Sequence, residues 1–349
     1  MAFVFAAAIW VKVLVGPAIG ALADCLGQTK AVMAVLAAVA CIAYAALWPM
    51  DGFWTILLLN LVASVSQSTL MPLGDAATLA VVRSGGLEYG RVRVWGSISF
   101  IVAALGGGAA LANAPKNAHN NEVLLLVLLA SALLFAACLG MPQSRAPRPA
   151  RWRALGLLAG DSRFWIFAVS AAALQASHQL YYGFGTLYWR QLGFSDPVIG
   201  ALWAEGVVAE ILLFWYSAPL VRRLGPPGLM ALGGVAGIVR WSLIGILPGL
   251  GAAAVLQLLH ALTFGASHLG AMHFMARAVP PAAGASAQSL YASLSAGFGS
   301  GLVMLAAGTL FAAYGGLAYP FMAVLSAAGL CGVLWLRRQS RRDGGIAPC

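Results

Sequence analysis

The chain has 349 residues, of which 61% are hydrophobic and only 9% are charged. Soluble domains carry about 25% charge, so this composition excludes an ordinary soluble fold. The net charge of +10 invites a nucleic-acid partner, but sixteen of the twenty Lys and Arg stand in one alternating set of connections and the tail between apolar runs, and no basic domain is interleaved with aromatic residues.

In chain order the apolar runs fall at about 2–22, 30–48, 53–82, 93–112, 122–140, 163–188, 197–220, 228–247, 251–277, 284–312 and 317–337. Each is long enough to cross about 30 Å of hydrocarbon. Lipid offers no partner to an open strand edge, so all eleven are expected to be transmembrane helices. In the first run Ala21-Leu22-Ala23 mimics a signal-peptide cleavage site. The basic leader is missing and Lys12 interrupts the apolar stretch, so a retained helix is expected. The five cysteines, at positions 25, 41, 138, 331 and 349, show no metal-ligand spacing and read as small apolar fillers.

Charge orients the runs. One set of connections holds Lys30, then Arg83, Arg91 and Arg93, then five Arg between 145 and 163, then Arg222 and Arg223, then Arg277, and the tail Arg337, Arg338, Arg341 and Arg342. The other set holds only Lys116 and Arg190. Basic residues stay on the cytoplasmic side, which puts the C-terminus inside and Met1, after an odd number of crossings, outside.

An internal repeat organises the helices. Leu22-Ala-Asp-Cys-Leu-Gly27 aligns with Leu220-Val-Arg-Arg-Leu-Gly225 at an offset of 198, and that offset carries the first five runs onto the last five. The run at 163–188 maps upstream of Met1. The expectation is an all-α polytopic membrane protein of two parallel six-helix halves, with eleven helices present and the first helix of the first half missing. The N-terminal half covers 1–140, a basic cytoplasmic linker 141–162, the C-terminal half 163–337 and a basic cytoplasmic tail 338–349. Parallel halves about an axis along the membrane normal occur in major facilitator carriers.

Two motifs carry a resemblance to that superfamily. Gly20-Ala-Leu-Ala-Asp24-Cys-Leu-Gly27-Gln-Thr-Lys30 resembles its signature loop between the second and third helices, matching at Gly20, Asp24 and Gly27 and departing from its basic positions at Cys25, Gln28 and Thr29. Tyr89-Gly-Arg91-Val-Arg93-Val-Trp95-Gly-Ser97 resembles the entry to the fifth helix of proton-coupled permeases. With Ser177-His178-Gln-Leu-Tyr181-Tyr182, Ala209-Glu210, Arg240-Trp241 and the stretch from His260 to His268, it is similar to the phenylpropionate permease branch. The resemblance implies a carrier with Gly20, Asp24 and Gly27 in a gating loop and a central cavity lined by the helices of His178 and His260.

Ionisable groups inside spans are expensive, and they mark function or a specific partner. Glu210 and Arg240 lie at similar depths on neighbouring antiparallel helices, so they either hold that hairpin as a fixed pair or separate for a proton or a substrate carboxylate. The repeat sets Lys12 opposite Glu210. His178, Glu205 and His260 share a layer nearer the outer face, with Tyr182 one turn from His178. His268 is expected about 80° round the helix from His260. Asp75, with Arg91 and Arg93, either releases a proton near the cytoplasm or balances local charge. No H-E-x-x-H or comparable ligand set supports an enzyme.

The expected function is proton-coupled symport of a small organic anion, an aromatic carboxylate such as 3-phenylpropionate by resemblance. Arg240 or Lys12 would hold the carboxylate, and a buried Glu or His would hold the proton. The expected setting is a monomer in the lipid bilayer of a bacterial inner membrane, driven by the proton gradient, with no cofactor, metal or nucleic-acid partner. A sugar, nucleoside or exported drug as cargo, and a truncated product unable to transport, are the alternatives.

Overall fold

The computed structural model describes residues 2–48, 50, 52–112, 119–142 and 153–342, and among these no strand forms. Residues 143–152 of the expected linker and 343–349 of the expected tail lie outside the described residues.

The first five elements are α1 (Ala2–Leu26), α2 (Thr29–Ala46), α3 (Phe53–Arg83), α4 (Tyr89–Ala112) and α5 (His119–Gly140), followed by the short α6 (Arg153–Ala159). The predicted run at 163–188 is two helices, α7 (Ser162–Ala176) and α8 (Gln179–Gln191), parted at Ser177 and His178. Next come α9 (Asp196–Trp215) and α10 (Ser217–Ile244). The run at 251–277 is α11 (Leu250–Leu258), a π-helical turn (Ala261–Ala266) and α12 (Ser267–Ala278). The run at 284–312 is α13 (Gly284–Ala292), a second π-helical turn (Ser293–Gly299) and α14 (Ser300–Tyr314), and α15 (Tyr319–Arg342) closes the chain. Joined across these interruptions, the described helices account for the eleven expected runs. Among the described residues, seven stretches are long and apolar enough to cross a membrane; one of them, 281–339, contains both α14 and most of α15, separated at Gly315 with φ +54°.

The repeat reappears in the backbone. Gly27 has φ +61° and Gly225, 198 positions later, has φ +64°, a left-handed conformation that a glycine adopts without a Cβ penalty. Both mark a sharp turn between helices. The offset of 198 carries α2 onto 227–244, and α10 resumes after its kink at Gly225 and ends at Ile244.

Contacts divide the molecule into two compact units: residues 1–86, 95–160 and 279–293, and residues 87–94, 161–278 and 294–349. In the first, α1 and α2 pack on α3, α5 packs on α2, and α13 packs on α1. Its core holds Ala23, Val32, Met33, Leu70 and Leu73. Gly20 is required where α1 meets α13, because a Cβ there would lie 2.7 Å from the Ala285 carbonyl oxygen and closer still to the Ser289 hydroxyl. In the second unit, α15 packs on α7 and α10, around a core that includes Leu180, Tyr181, Trp189, Leu202 and Trp241. Large aliphatic side chains such as Ile42, Leu133, Val255, Leu305 and Val324 are exposed on helices of both units. Such surface is unfavourable in water and suits lipid.

Candidate functional site

The second unit buries a polar cluster around Arg240, whose side chain is 0% exposed. One terminal nitrogen of Arg240, Nη1, donates to His260 Nδ1 at 3.2 Å and to Thr263 Oγ1 at 3.1 Å, and Nη2 donates to Gln257 Oε1 at 2.6 Å. Gln257 passes the connection on, its Nε2 donating to the Tyr181 hydroxyl at 2.7 Å and to the Leu202 carbonyl at 2.8 Å. The guanidinium lies between two rings, 4.6 Å from the centroid of Tyr181 and 4.7 Å from that of Trp241. Arg240 Nε is buried with no hydrogen-bond partner.

Glu210 does not meet Arg240 directly. His260 stands between them, with its Nε2 3.6 Å from Glu210 Oε2 and its Nδ1 on Arg240. Arg240 has only protons to offer, so His260 Nδ1 accepts, and the neutral ring then carries its proton on Nε2, facing the carboxylate. The sequence expectation of a Glu210–Arg240 pair is therefore replaced by an Arg240–His260–Glu210 chain.

Two helix interruptions create this geometry. At the α7–α8 junction the His178 amide bonds to the Gln175 carbonyl rather than to Leu174. The released Leu174 carbonyl accepts from Ser177 Oγ at 2.7 Å and from His178 Nδ1 at 3.1 Å. His178 Nε2 is thereby turned toward Thr263 Oγ1, 3.1 Å away. At the other interruption, the π-helical turn begins directly after His260. Its wider turn brings His260, Phe264 and His268 onto one face, with neighbouring ring centroids 5.5 and 5.8 Å apart and planes within 8° and 5° of parallel. An α-helical path would have carried His268 about 80° away. π-Turns inside α-helices are frequent at functional sites.

Of the residues singled out from sequence, His178, Tyr182, Glu210, Arg240 and His260 come together. Tyr182 stacks on His178 at 5.8 Å and, being 42% exposed, forms the open side of the cluster. His268 lies one ring further along, its Nε2 2.9 Å from the buried Tyr89 hydroxyl. Glu205, half-buried on the same helix as Glu210, makes no hydrogen bond or ion pair among the described residues. Lys12 is half-buried in the first unit, again without a polar partner among the described residues, and Asp75 is half-buried in α3. Arg91 is exposed and pairs with Glu88 at 2.9 Å, while the Nε of Arg93 is buried without a partner. Asp24 accepts from the amides of Ala285 and Ser286 at 3.0 and 2.7 Å and from the Ser286 hydroxyl at 2.6 Å, at the N-terminus of α13, where a carboxylate is favoured. Sequence reasoning missed Gln257 and Thr263. Their signal was spacing, since each lies three residues from His260 on one helix.

The family model described as MFS_1 like family matches residues 1–323. The chain belongs to that family. It is thus a multi-pass membrane transporter of the major facilitator type and not an enzyme. A probable 3-phenylpropionic acid transporter of Escherichia coli (strain K12) is 34% identical over 216 residues, which cover 60% of this chain and 55% of that protein. The match therefore spans about half the length of that relative. Among solved structures, the Escherichia coli fucose:proton symporter superimposes with a TM-score of 0.73 at 13% identity, covering 95% of this chain and 90% of that one. The human organic anion transporter MFSD10 gives a TM-score of 0.70 at 19% identity, covering 95% and 82%. These two likenesses establish the fold. Carriers of this kind need no cofactor, and among the described residues no group of three His, Cys, Asp or Glu is placed to hold a metal.

Proposed function

We propose that this transporter carries a small organic anion together with a proton, and that its substrate is an aromatic carboxylate such as 3-phenylpropionate. The observation that carries the reading is Arg240. A guanidinium fully removed from solvent costs several kcal/mol unless compensated, yet its hydrogen bonds among the described residues go to neutral groups, with Nε unbonded. Cation–π contacts with Tyr181 and Trp241 offset part of that cost, on the order of 2 kcal/mol each when desolvated. A substrate carboxylate supplies the missing charge, and planar aromatic walls suit a planar ring. The name of the Escherichia coli relative supports the same cargo.

In this reading Arg240 anchors the carboxylate, a buried Glu210 or His178 takes the proton, and His260 links Arg240 to Glu210. Tyr182 is the face on which the substrate ring settles. Lys12 is the matching charge of the first half, and Asp75, Arg91 and Arg93 balance charge near the cytoplasm. Gly20, Asp24 and Gly27 gate. The carrier works as a monomer in a bacterial inner membrane, with its C-terminus in the cytoplasm and the proton gradient as its energy source.

Uptake of labelled 3-phenylpropionate into vesicles, with and without an imposed pH gradient, tests the proposal. The expected result is accumulation only with the inside alkaline. Uptake indifferent to the gradient would contradict proton coupling, and binding of a sugar or nucleoside that survives R240Q would contradict the anionic cargo.

A further inference from the structure

Among the described residues, the Thr263 hydroxyl lies within hydrogen-bond distance of both a fixed cation, Arg240, and a titratable ring, His178. Its hydroxyl oxygen lies 3.1 Å from Arg240 Nη1 and 3.1 Å from His178 Nε2, with the His260 carbonyl oxygen at 3.4 Å as its remaining acceptor. We infer that Thr263 is a positioning residue that makes proton uptake at His178 depend on anion binding at Arg240; the inference rests on the symport reading above and specifies how its two ligands are linked.

The donors and acceptors leave little freedom. His178 Nδ1 faces the Leu174 carbonyl, which can only accept, so in the neutral ring Nδ1 carries the proton and Nε2 is bare. The Thr263 O–H therefore points to His178 Nε2, while a lone pair on the same oxygen accepts from Arg240. This makes a directed chain from Arg240 N–H through the Thr263 O–H to the His178 nitrogen, each bond polarising the next.

Protonation of His178 at Nε2 reverses the second link. The Thr263 hydroxyl must turn its hydrogen to the His260 carbonyl, and its oxygen then faces two N–H donors, one on the imidazolium and one on the guanidinium. A hydroxyl can accept twice and donate once, so every group remains bonded. Two like charges now lie two hydrogen bonds apart in a dry interior, where repulsion is strong. With the site empty, that repulsion adds to the cost of placing a charge on His178 in a dry interior. A carboxylate on Arg240 cancels the guanidinium charge and lets the proton in.

The other groups facing His178 do not replace this route. His260 Nδ1 is occupied by Arg240 and cannot gain a proton without setting donor against donor. Tyr182 stacks on the His178 ring, Trp241 meets it edge-on at 5.1 Å, and Tyr181 is turned to Gln257. Glu210 lies beyond His260, on its Nε2 side. Among the described residues, Thr263 alone joins His178 to the cation by hydrogen bonds.

The test measures the affinity of purified full-length protein for radiolabelled 3-phenylpropionate from about pH 5.5 to about pH 8, the range in which a histidine titrates. One proton linked to one anion gives an affinity that rises about tenfold per pH unit of acidification while the empty site is unprotonated. Wild type and Thr263→Ser, which keeps the hydroxyl, are expected to show that slope. Thr263→Val and Thr263→Ala are expected to flatten it to less than about twofold per unit, whatever they do to affinity at one pH. His178→Asn, which cannot take up a proton, is expected to flatten it equally, and a wild-type slope there overturns the inference even if Thr263→Val and Thr263→Ala fail to fold. In that case Thr263→Ser against Thr263→Cys, a weak acceptor, reads the role of the hydroxyl. A wild-type slope in Thr263→Val, Thr263→Ala or His178→Asn overturns the inference, as does a serine variant as flat as valine. Wild-type protein that binds no probe, or binds it with a flat pH profile, overturns the symport reading itself and the inference with it.

Discussion

Arg240 concentrates the consequences of the cluster. Replacing it by Gln keeps a hydrogen-bonding side chain on α10 but removes the charge that holds the carboxylate in the proposed reading. Truncating one member of a buried, hydrogen-bonded charge pair costs about 2–5 kcal/mol, so affinity of R240Q for 3-phenylpropionate is expected to fall roughly thirtyfold or more, measured by equilibrium binding. R240K is expected to recover only part of the loss. An ammonium cannot hold the His260 nitrogen, the Thr263 hydroxyl and the Gln257 amide in one plane as the guanidinium fork does. Glu210 separates coupling from binding. In E210Q, exchange of labelled for unlabelled probe across vesicles is expected to continue, because Arg240 is untouched, while accumulation driven by a pH gradient is lost. Loss of exchange as well would place Glu210 on the substrate rather than on the proton.

Between residue and fold stand the interrupted helices, and here the limit of the sequence is clearest. Depth along a regular helix placed His178, Glu210, Arg240 and His260 at reachable levels, because 1.5 Å per residue is insensitive to small errors in phase. Which atoms touch depends on rotation about each helix axis, and that is set by the opened turn at Ser177–His178 and the π-helical turn at Ala261–Ala266. Neither carries a Pro or a charge that would announce it. Glu205 joined the expected layer on depth alone, and rotation keeps it out of the cluster. The signature loop was legible because its residues answer local demands. Gly27 needs a positive φ, Gly20 needs close approach to α13, and Asp24 caps the start of α13. D24A leaves the Ala285 and Ser286 amides without their acceptor, at about 1–3 kcal/mol for each buried unsatisfied group. The solubilised protein is expected to melt several degrees lower, whereas D24N, which retains one acceptor oxygen, is expected to lose less. G20V, which drives a branched side chain into the Ala285 carbonyl, is expected to be worse than either.

At the scale of the molecule the repeat and the charge bias are the most robust reading, since they depend on many residues rather than on one contact. The paired left-handed glycines, Gly27 and Gly225, are the backbone counterpart of the 198-residue offset. The proposed orientation rests on the basic connections, and it can be checked with single cysteines in a cysteine-free background. A cysteine replacing Asp196, at the start of α9, is expected to react with an impermeant maleimide from outside the cell, and one replacing Arg222 is not. Above both stands the claim that a buried cation in the second unit selects an anionic aromatic cargo. Its most direct test is thermal stabilisation of the purified protein, wild type and R240Q, across a panel of aromatic acids, sugars and nucleosides. Aromatic acids are expected to raise the melting temperature of wild type and to leave R240Q unmoved, with sugars and nucleosides inert on both. Equal stabilisation of the two proteins by aromatic acids, or stabilisation of wild type by neutral ligands alone, would contradict the account.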